Sequence, residues 1–455
     1  MPSIRIFRAS SGCPLRLACP PKLWGGGDEG GSIRLLSERY SNYQHNESTF
    51  RRPLFICFGS RQDCIFQLSI ESSPRRVGSA AAGAATLQIP MSSDPLDFQG
   101  IDYVEFYVSN ARQAAHFYRT ALGLAPIAYS GLETGVRDRA SWLVGRGQVQ
   151  FLLTSPLAPD AAPEISRHIA IHGDGVRDIA LRVHDARAAF DEAVRRGGKV
   201  VQGPQEFEDG FGRFVRATIA TYGDTVHSFI ERDNYRGIIP GFKKIENPAP
   251  APDTGIAAID HIVGNVELGK MNDWVAFYRD VMGFSQLTHF DDSDISTDFS
   301  ALMSKVMQNG SGRIKFPINE PAEGKRRSQI EEYLIHYGGP GVQHIALATK
   351  DIIATVDALA ASGVDFLRIP PTYYEELPAR VGPIDEDISE LAKRGILVDR
   401  DEEGYLLQIF SQPIQDRPTV FYEVIRRHGS QGFGAGNFRA LFEALEREQA
   451  RRGNL

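Results

Sequence analysis

An internal duplication constrains this chain more than any other feature of its sequence. Gly100-Ile101-Asp102-Tyr103-Val104 matches Ala258-Ile259-Asp260-His261-Ile262. Each is followed by a related phrase, His116-Phe117-Tyr118-Arg119 ahead of Gly123 in the first copy and Ala276-Phe277-Tyr278-Arg279 ahead of Gly283 in the second. Further on, Gly175-Val176-Arg177-Asp178-Ile179-Ala180-Leu181 matches Gly341-Val342-Gln343-His344-Ile345-Ala346-Leu347, and Thr225-Val226-His227-Ser228-Phe229 answers Thr419-Val420-Phe421-Tyr422-Glu423. Such a chain folds as two copies of one plan, and differences at matched positions mark differences in task.

The periodicity of each copy alternates short strands with single amphipathic helices. In the first, strands are predicted over 101–108, in a pair within 140–153, and over 176–183, 213–219 and 225–230, with helices over 111–122 and 186–196. The second repeats this with strands over 260–266, 344–349, 406–410 and 419–424 and helices over 272–282 and 352–361. Asn247 to Gly255, opening with Pro248-Ala249-Pro250-Ala251-Pro252, reads as a linker. The fold class is α+β: four βαβββ-like units in two domains, 96–243 and 256–455, ending in a helix from Phe438 to Arg451.

At three matched positions the second copy carries His261, His344 and Glu423 where the first has Tyr103, Asp178 and Phe229. Two imidazoles and a carboxylate on separate apolar strands are the donor set of the facial triad that leaves positions open on non-haem Fe(II). The first copy cannot supply it, so one metal per chain is expected. Strand alternation puts Glu423 on a face with Phe421 and Thr419, His344 with Ala346 and Ala348, and Gln408 with Phe410. It points Gln343 away from the face of His344. A concave sheet with one metal, an aromatic wall and a few amides suits a polar aromatic molecule. The remaining histidines considered, His116, His168, His172, His184, His289, His336 and His428, are assigned surface or capping roles; His168 and His172 share a helical face but lack a third ligand nearby in sequence. Gln431-Gly432-Phe433-Gly434-Ala435-Gly436-Asn437 is not a phosphate loop, since no strand runs into it and no Lys-Ser/Thr follows.

No apolar run in the 455 residues approaches membrane-spanning length. Net charge is −7; residues 1–90 carry 11 Lys and Arg against 6 Asp and Glu, which leaves the remainder at −12 and disfavours nucleic acid as a partner. Residues 1–90 hold all four cysteines (Cys13, Cys19, Cys57, Cys64) and no sustained periodicity. Three readings apply to this leader: a targeting peptide, an accessory module, or upstream sequence with Met91 as the true first residue. Its acidic residues speak against a transit peptide, and its cysteine spacings match no standard zinc pattern.

From about Leu96 to Gly453 the chain resembles the 4-hydroxyphenylpyruvate dioxygenases of the vicinal oxygen chelate superfamily. The phrases that carry the resemblance are Asp260-His261-Ile262-Val263-Gly264-Asn265, Phe316-Pro317-Ile318-Asn319-Glu320-Pro321, Ser328-Gln329-Ile330, Gly341-Val342-Gln343-His344, Leu407-Gln408-Ile409-Phe410, Phe421-Tyr422-Glu423-Val424-Ile425-Arg426-Arg427 and Gly432-Phe433-Gly434-Ala435-Gly436-Asn437-Phe438. The resemblance implies two vicinal-oxygen-chelate domains, only the second holding Fe(II), and conversion of 4-hydroxyphenylpyruvate and O2 to homogentisate and CO2 in tyrosine catabolism. It implies Ser300, Asn319 and Gln329 at the phenol end of the substrate, and Phe410, Phe433 and Phe438 around the ring. Gln343, Gln408 and Asn437 complete the implied substrate contacts, and the C-terminal helix is implied to act as a gate. A homo-oligomer in the cytoplasm is implied as well. Two alternatives stay open: a 4-hydroxymandelate synthase, using the same substrate and metal, and a non-catalytic small-molecule binder of the superfamily.

Overall fold

The duplication becomes two curled mixed sheets, because each copy supplies two tandem strand–helix–strand–strand–strand units. The computed structural model describes residues 94–290, 301–322 and 327–453, with two isolated strands, β1 (Leu54–Phe55) and β2 (Gln67–Leu68), that pair antiparallel. The readings of residues 1–90 and of Met91 as a start otherwise lie outside the described residues.

The first sheet comprises β3 (Phe98–Tyr107), α1 (Ala111–Ala121), β4 (Ala125–Ser130), β5 (Arg139–Arg146) and β6 (Val149–Pro156), then α2 (Pro163–His172), β7 (Gly175–Val183), α3 (Ala186–Arg195), β8 (Val200–Asp209), β9 (Gly212–Ala220), β10 (Val226–Glu231) and β11 (Lys243–Lys244). Its nine strands run in the order β11-β4-β5-β6-β3-β7-β10-β9-β8. The second comprises β12 (Ile256–Asn265), α4 (Met271–Asp280), β13 (Ser285–Phe290), β14 (Ala301–Gln308), β15 (Lys315–Ala322), α5 (Gln329–Tyr337), β16 (Gly341–Thr349), α6 (Ile352–Ala361), α7 (Thr372–Val381), α8 (Ile388–Arg394), β17 (Leu397–Arg400), β18 (Tyr405–Phe410) and β19 (Phe421–His428), and is followed by α9 (Phe438–Arg452). Its order is β13-β14-β15-β12-β16-β19-β18-β17. In both sheets the opening strands of the two units are antiparallel neighbours at the centre, and each pairs parallel with the last strand of its own unit.

Local chemistry repeats with the strands. Asp185 and Asp351 cap α3 and α6 identically, each accepting from the backbone N–H three residues on, at 2.8 and 3.1 Å. Gly123 and Gly283 take left-handed φ of 72° and 74° to turn the chain after α1 and α4, a conformation a side chain would strain. The sheet faces opposite the site share one aromatic core: Phe98 packs edge-on to Phe284 at 5.7 Å, and Phe151 stacks on Tyr422 at 6.0 Å.

Strands β4, β8, β11, β13, β14, β15 and β17 and helices α2, α5, α7 and α8 were not legible in the periodicity. Pro317 and Pro321 interrupt the pattern of β15, although it pairs along its whole length with β14. Strand β8 is an edge strand exposed along most of its length, so it shows no buried face to read.

Candidate metal centre and active site

The strands β12, β16 and β19 are neighbours in the second sheet, and they carry His261, His344 and Glu423 into one buried cluster. Glu423 Oε2 lies 3.2 Å from His261 Nε2 and 3.3 Å from His344 Nε2. Among the described residues this is the one group of three His, Cys, Asp or Glu ligands gathered so closely.

Two β-bulges orient the imidazoles. Along β12 and β16, Ile259 faces Leu347 and His261 faces Ala346, so Asp260 is an extra residue; Val263 faces His344 and Gly264 faces Val342, so Gln343 is another. A bulge breaks strict alternation, and each extra residue turns its side chain onto the histidine that follows it. His261 Nδ1 lies 2.8 Å from Asp260 Oδ1, and His344 Nδ1 lies 3.0 Å from Gln343 Oε1. With Nδ1–H committed in this way, each Nε2 presents its lone pair to the shared centre. This corrects the expectation from alternation that Gln343 faces away: it lines the site.

The electrostatics suit a cation. Burial pushes the Glu423 carboxyl up, but His261 and His344 outweigh it and hold it at about 2. Burial pushes His261 down, yet Glu423 and Asp260 together raise it, whereas at His344 burial prevails and lowers it. Glu423 Oε1 is buried with no hydrogen-bond partner, an orphaned charge that a bound metal would satisfy. Asp260 is in turn clamped by Arg427, whose Nε and Nη2 donate to its two oxygens at 2.8 Å each. The same guanidinium donates to the Gly432 carbonyl at 2.6 Å and lies over the Phe433 ring at 5.3 Å. Arg427 therefore ties the histidine support to the loop that leads into α9.

Beside the cluster is a cavity of about 70 Å³. Of the residues expected to touch substrate, Asn319, Gln329, Gln343, Phe410, Phe433 and Phe438 line it. Phe433 meets His261 edge-on at 5.1 Å, and Phe410 meets His344 at 5.8 Å. Gln408 and Asn437 are not among the lining side chains. Gln408 is buried against Gly434, where a Cβ would sit 2.2 Å from its Nε2. Asn437 is fully buried at the start of α9, its Oδ1 accepting from Tyr373 Oη at 2.6 Å and from Arg380 Nη2 at 3.2 Å. Ser300 lies outside the described residues. The sequence reading missed Ser304, which lines the cavity opposite Asn319 in the β14–β15 ladder, while Phe421, placed by alternation on the face of Glu423, stacks on His344 at 4.9 Å. It also missed Leu441, Phe442 and Leu445, with which α9 roofs the cavity; their apolar spacing along the helix was the available signal.

Several of the remaining histidines are not surface groups. His168 and His172 are buried, with His172 Nδ1 2.6 Å from the Tyr337 carbonyl and Nε2 3.0 Å from Asp224 Oδ2. Burial and then His172 lower the His168 ring to about 3, which keeps it neutral. His428 stacks on Tyr405 at 4.3 Å. The matched position of Glu423 also needs correcting. Strand pairing sets Glu423 against Ala346 and Ser228 against Ala180, so Ser228, not Phe229, occupies that place in the first sheet; Phe229 packs in the shared core.

Residues 100–231 and 258–409 match the Glyoxalase/Bleomycin resistance protein/Dioxygenase superfamily. The chain is 47% identical over 370 residues to a 4-hydroxyphenylpyruvate dioxygenase of Yarrowia lipolytica, covering 79% of this chain and 94% of the relative. It is 46% identical over 371 residues to one of Caenorhabditis elegans, covering 79% and 94%. It belongs to the 4-hydroxyphenylpyruvate dioxygenase family. A solved triple mutant of 4-hydroxymandelate synthase from Streptomyces coelicolor superposes with a TM-score of 0.69 at 33% identity, covering 78% of this chain and 99% of that one. The fold is thus the two-domain α+β arrangement of vicinal oxygen chelate proteins, and the 4-hydroxyphenylpyruvate dioxygenases are iron-dependent oxygenases. No helix among the described residues is long and apolar enough to cross a membrane.

Proposed function

We propose that the chain converts 4-hydroxyphenylpyruvate and O2 to homogentisate and CO2 in tyrosine catabolism, with one Fe(II) held by His261, His344 and Glu423. The observation that carries this reading is the buried Glu423 Oε1, left without a partner where two imidazole Nε2 atoms converge beneath an aromatic cavity. Iron held by these residues would supply the redox chemistry that lets O2 react and a Lewis-acid centre for the carboxylate and keto oxygens of the 2-oxo acid. His261, His344 and Glu423 all come from neighbouring strands of the sheet, so the cavity side of the cluster would stay open to substrate and O2.

The side chains do the positioning. Phe410, Phe433 and Phe438 hold the ring and exclude water, while Asn319 and Gln329, with Ser300, orient the phenol. Gln343 keeps its carbonyl oxygen on His344 and its amide toward the cavity. Gln408 and Asn437 act through the loop and helix they support. A cavity of about 70 Å³ is well below the ~300–1,000 Å³ usual for small-molecule pockets, so α9 moves to admit substrate. Among the bonds that resist this motion are those of Asn437 at one end of the helix and the Arg452–Glu332 pair, 2.7 Å, at the other.

The working body comprises residues 96–243 and 256–455, with 1–90 outside it. The enzyme acts in the cytoplasm as a homo-oligomer, for which the edge strand β8 and its following turn offer exposed Val200, Val201, Phe207 and Phe211. Anaerobic Fe(II) loading, exposure to O2 with substrate, and identification of the product by mass test the assignment. Homogentisate is expected. 4-Hydroxymandelate would make the chain a synthase of the related kind, and absence of O2 uptake would make it a binder.

A further inference from the structure

Asp260 faces a second cavity, of about 720 Å³, where β3 and β6 of the first sheet meet β12 and β15 of the second. The cavity is lined by three cations, Arg182, Arg313 and Lys315, and by two carboxylates, Asp102 and Asp260. Both carboxylates are already matched. Asp102 pairs with Arg182 at 3.1 Å and Arg232 at 2.9 Å, and Asp260 with Arg427 at 2.8 Å. Arg313 and Lys315 make no ion pair with a carboxylate among the described residues; Arg313 is exposed and Lys315 is half-buried. Burial depresses its ammonium, since the attraction of Asp260 is opposed by Arg427. A partly desolvated cation without a counter-charge is costly, and the chain keeps Lys315 so, with the exposed guanidinium of Arg313 on the same wall. Gln148 and Gln150 add amide donors, while Ile101, Ile259 and Ala348 supply low-dielectric walls that concentrate the field.

We propose that this cavity binds a small anion bearing carboxylate or phosphate groups, seated between Lys315 and Arg313 and hydrogen-bonded by the glutamine amides. The site is distinct from the metal centre, although Asp260 borders both. Its occupant would stand beside the residue that supports His261 and, through Arg427, the approach to α9.

Calorimetric titration of the full chain at low ionic strength tests this, with inorganic phosphate and succinate as the probes. At least one probe is expected to bind at a single site, with Kd raised tenfold or more in the double variant Lys315→Met/Arg313→Gln and unchanged in Glu423→Ala. Persistence in Glu423→Ala separates this site from anion binding at the metal centre. Absence of binding by both probes, an unchanged Kd in the double variant, or loss of binding in Glu423→Ala overturns the proposal. If the double variant does not fold, anomalous scattering from selenate diffused into crystals of the unaltered chain decides: a peak beside Lys315 supports the site, and none there overturns it.

Discussion

The two sheets solve the same problem in opposite ways. Both carry bulges at matched places: Asp102 and Arg177 are the extra residues in the first, as Asp260 and Gln343 are in the second. Both thereby bring a residue of each central strand toward one of the parallel neighbour strand, Tyr103, Asp178 and Ser228 in one and His261, His344 and Glu423 in the other. At the matched site of the first sheet the buried carboxylate is Asp178, and it is fully satisfied. It accepts from Ser228 N at 2.9 Å, Ser228 Oγ at 2.6 Å and Arg216 Nη2 at 3.1 Å. Strand pairing shows that Arg216 stands where the second sheet has Gln408, since each faces the residue two beyond the third site position. The first half thus neutralises its carboxylate with an arginine, and the second leaves Glu423 Oε1 open. The cover differs too: Phe214, Tyr235 and neighbouring apolar side chains fill the first sheet, whereas α9 roofs a cavity over the second. The scaffold sets where charges converge; the residue types at a few positions decide whether a side chain supplies the counter-charge or the carboxylate is left open to a metal.

Glu423→Ala should break the second half most severely. Two imidazoles alone leave the site under-coordinated, so iron content should fall and turnover drop to background. Near-normal iron content and activity in this variant, measured by metal analysis and O2 uptake, would remove Glu423 from the ligand set.

The counterpart in the first half is Arg216→Met. Removing the cation strands Asp178, which is fully buried, and breaking a buried pair costs ~3–5 kcal/mol. The low end, about 3 kcal/mol, is expected because the guanidinium is partly solvated. Iron stoichiometry should stay the same. A loss of iron that outruns the loss of stability by denaturant titration would mean that the first half takes part in metal binding after all.

Asp260→Asn tests whether the bulges matter beyond shape. The amide can still accept from His261 Nδ1–H, but its charge and the two-pronged Arg427 pair are lost. Metal affinity should weaken ~10–100-fold, the usual consequence of losing an outer partner of a ligating histidine. Hydrogen exchange over 429–453 should quicken, because Arg427 also holds Gly432. Unchanged exchange there would uncouple the metal support from the gate.

Much of this was readable from the repeat, and the failures have physical causes. Positions on straight strand segments, such as Glu423 with Phe421, followed from alternation. Gln343 did not, because a bulge is a one-residue excess visible only in the pairing register. The same limit misplaced the first-half match by one, to Phe229 instead of Ser228, where sequence similarity offered nothing to fix the register. Asn437 and Gln408 were in the right phrases but not in the cavity, since phrases preserve neighbourhoods while side chains within them divide between contact and support. Helices α7 and α8 insert between α6 and β17, where the first half passes from α3 to β8 in four residues, so the repeat could not foretell them.

The finest difference between the halves is the aromatic character of the cavity roof, and Phe438→Ile probes it. Phe438 lines the cavity at the first turn of α9, in one apolar cluster with Phe433 and Phe442. If it holds the substrate ring in place, shortening it should let the side chain of the substrate approach the oxidant and divert part of the flux to 4-hydroxymandelate. The discrimination required is small: ~1.4 kcal/mol between competing barriers changes a product ratio tenfold, and an aromatic contact is worth ~0.5–1.5 kcal/mol. Metal content should be unaffected, because Phe438 is outside the ligand set. Product analysis by mass reads the result directly. A Phe438→Ile enzyme that makes only homogentisate at the original rate would leave this ring as packing, and would shift control of the product to Phe410 and Phe433, which contact His344 and His261 themselves.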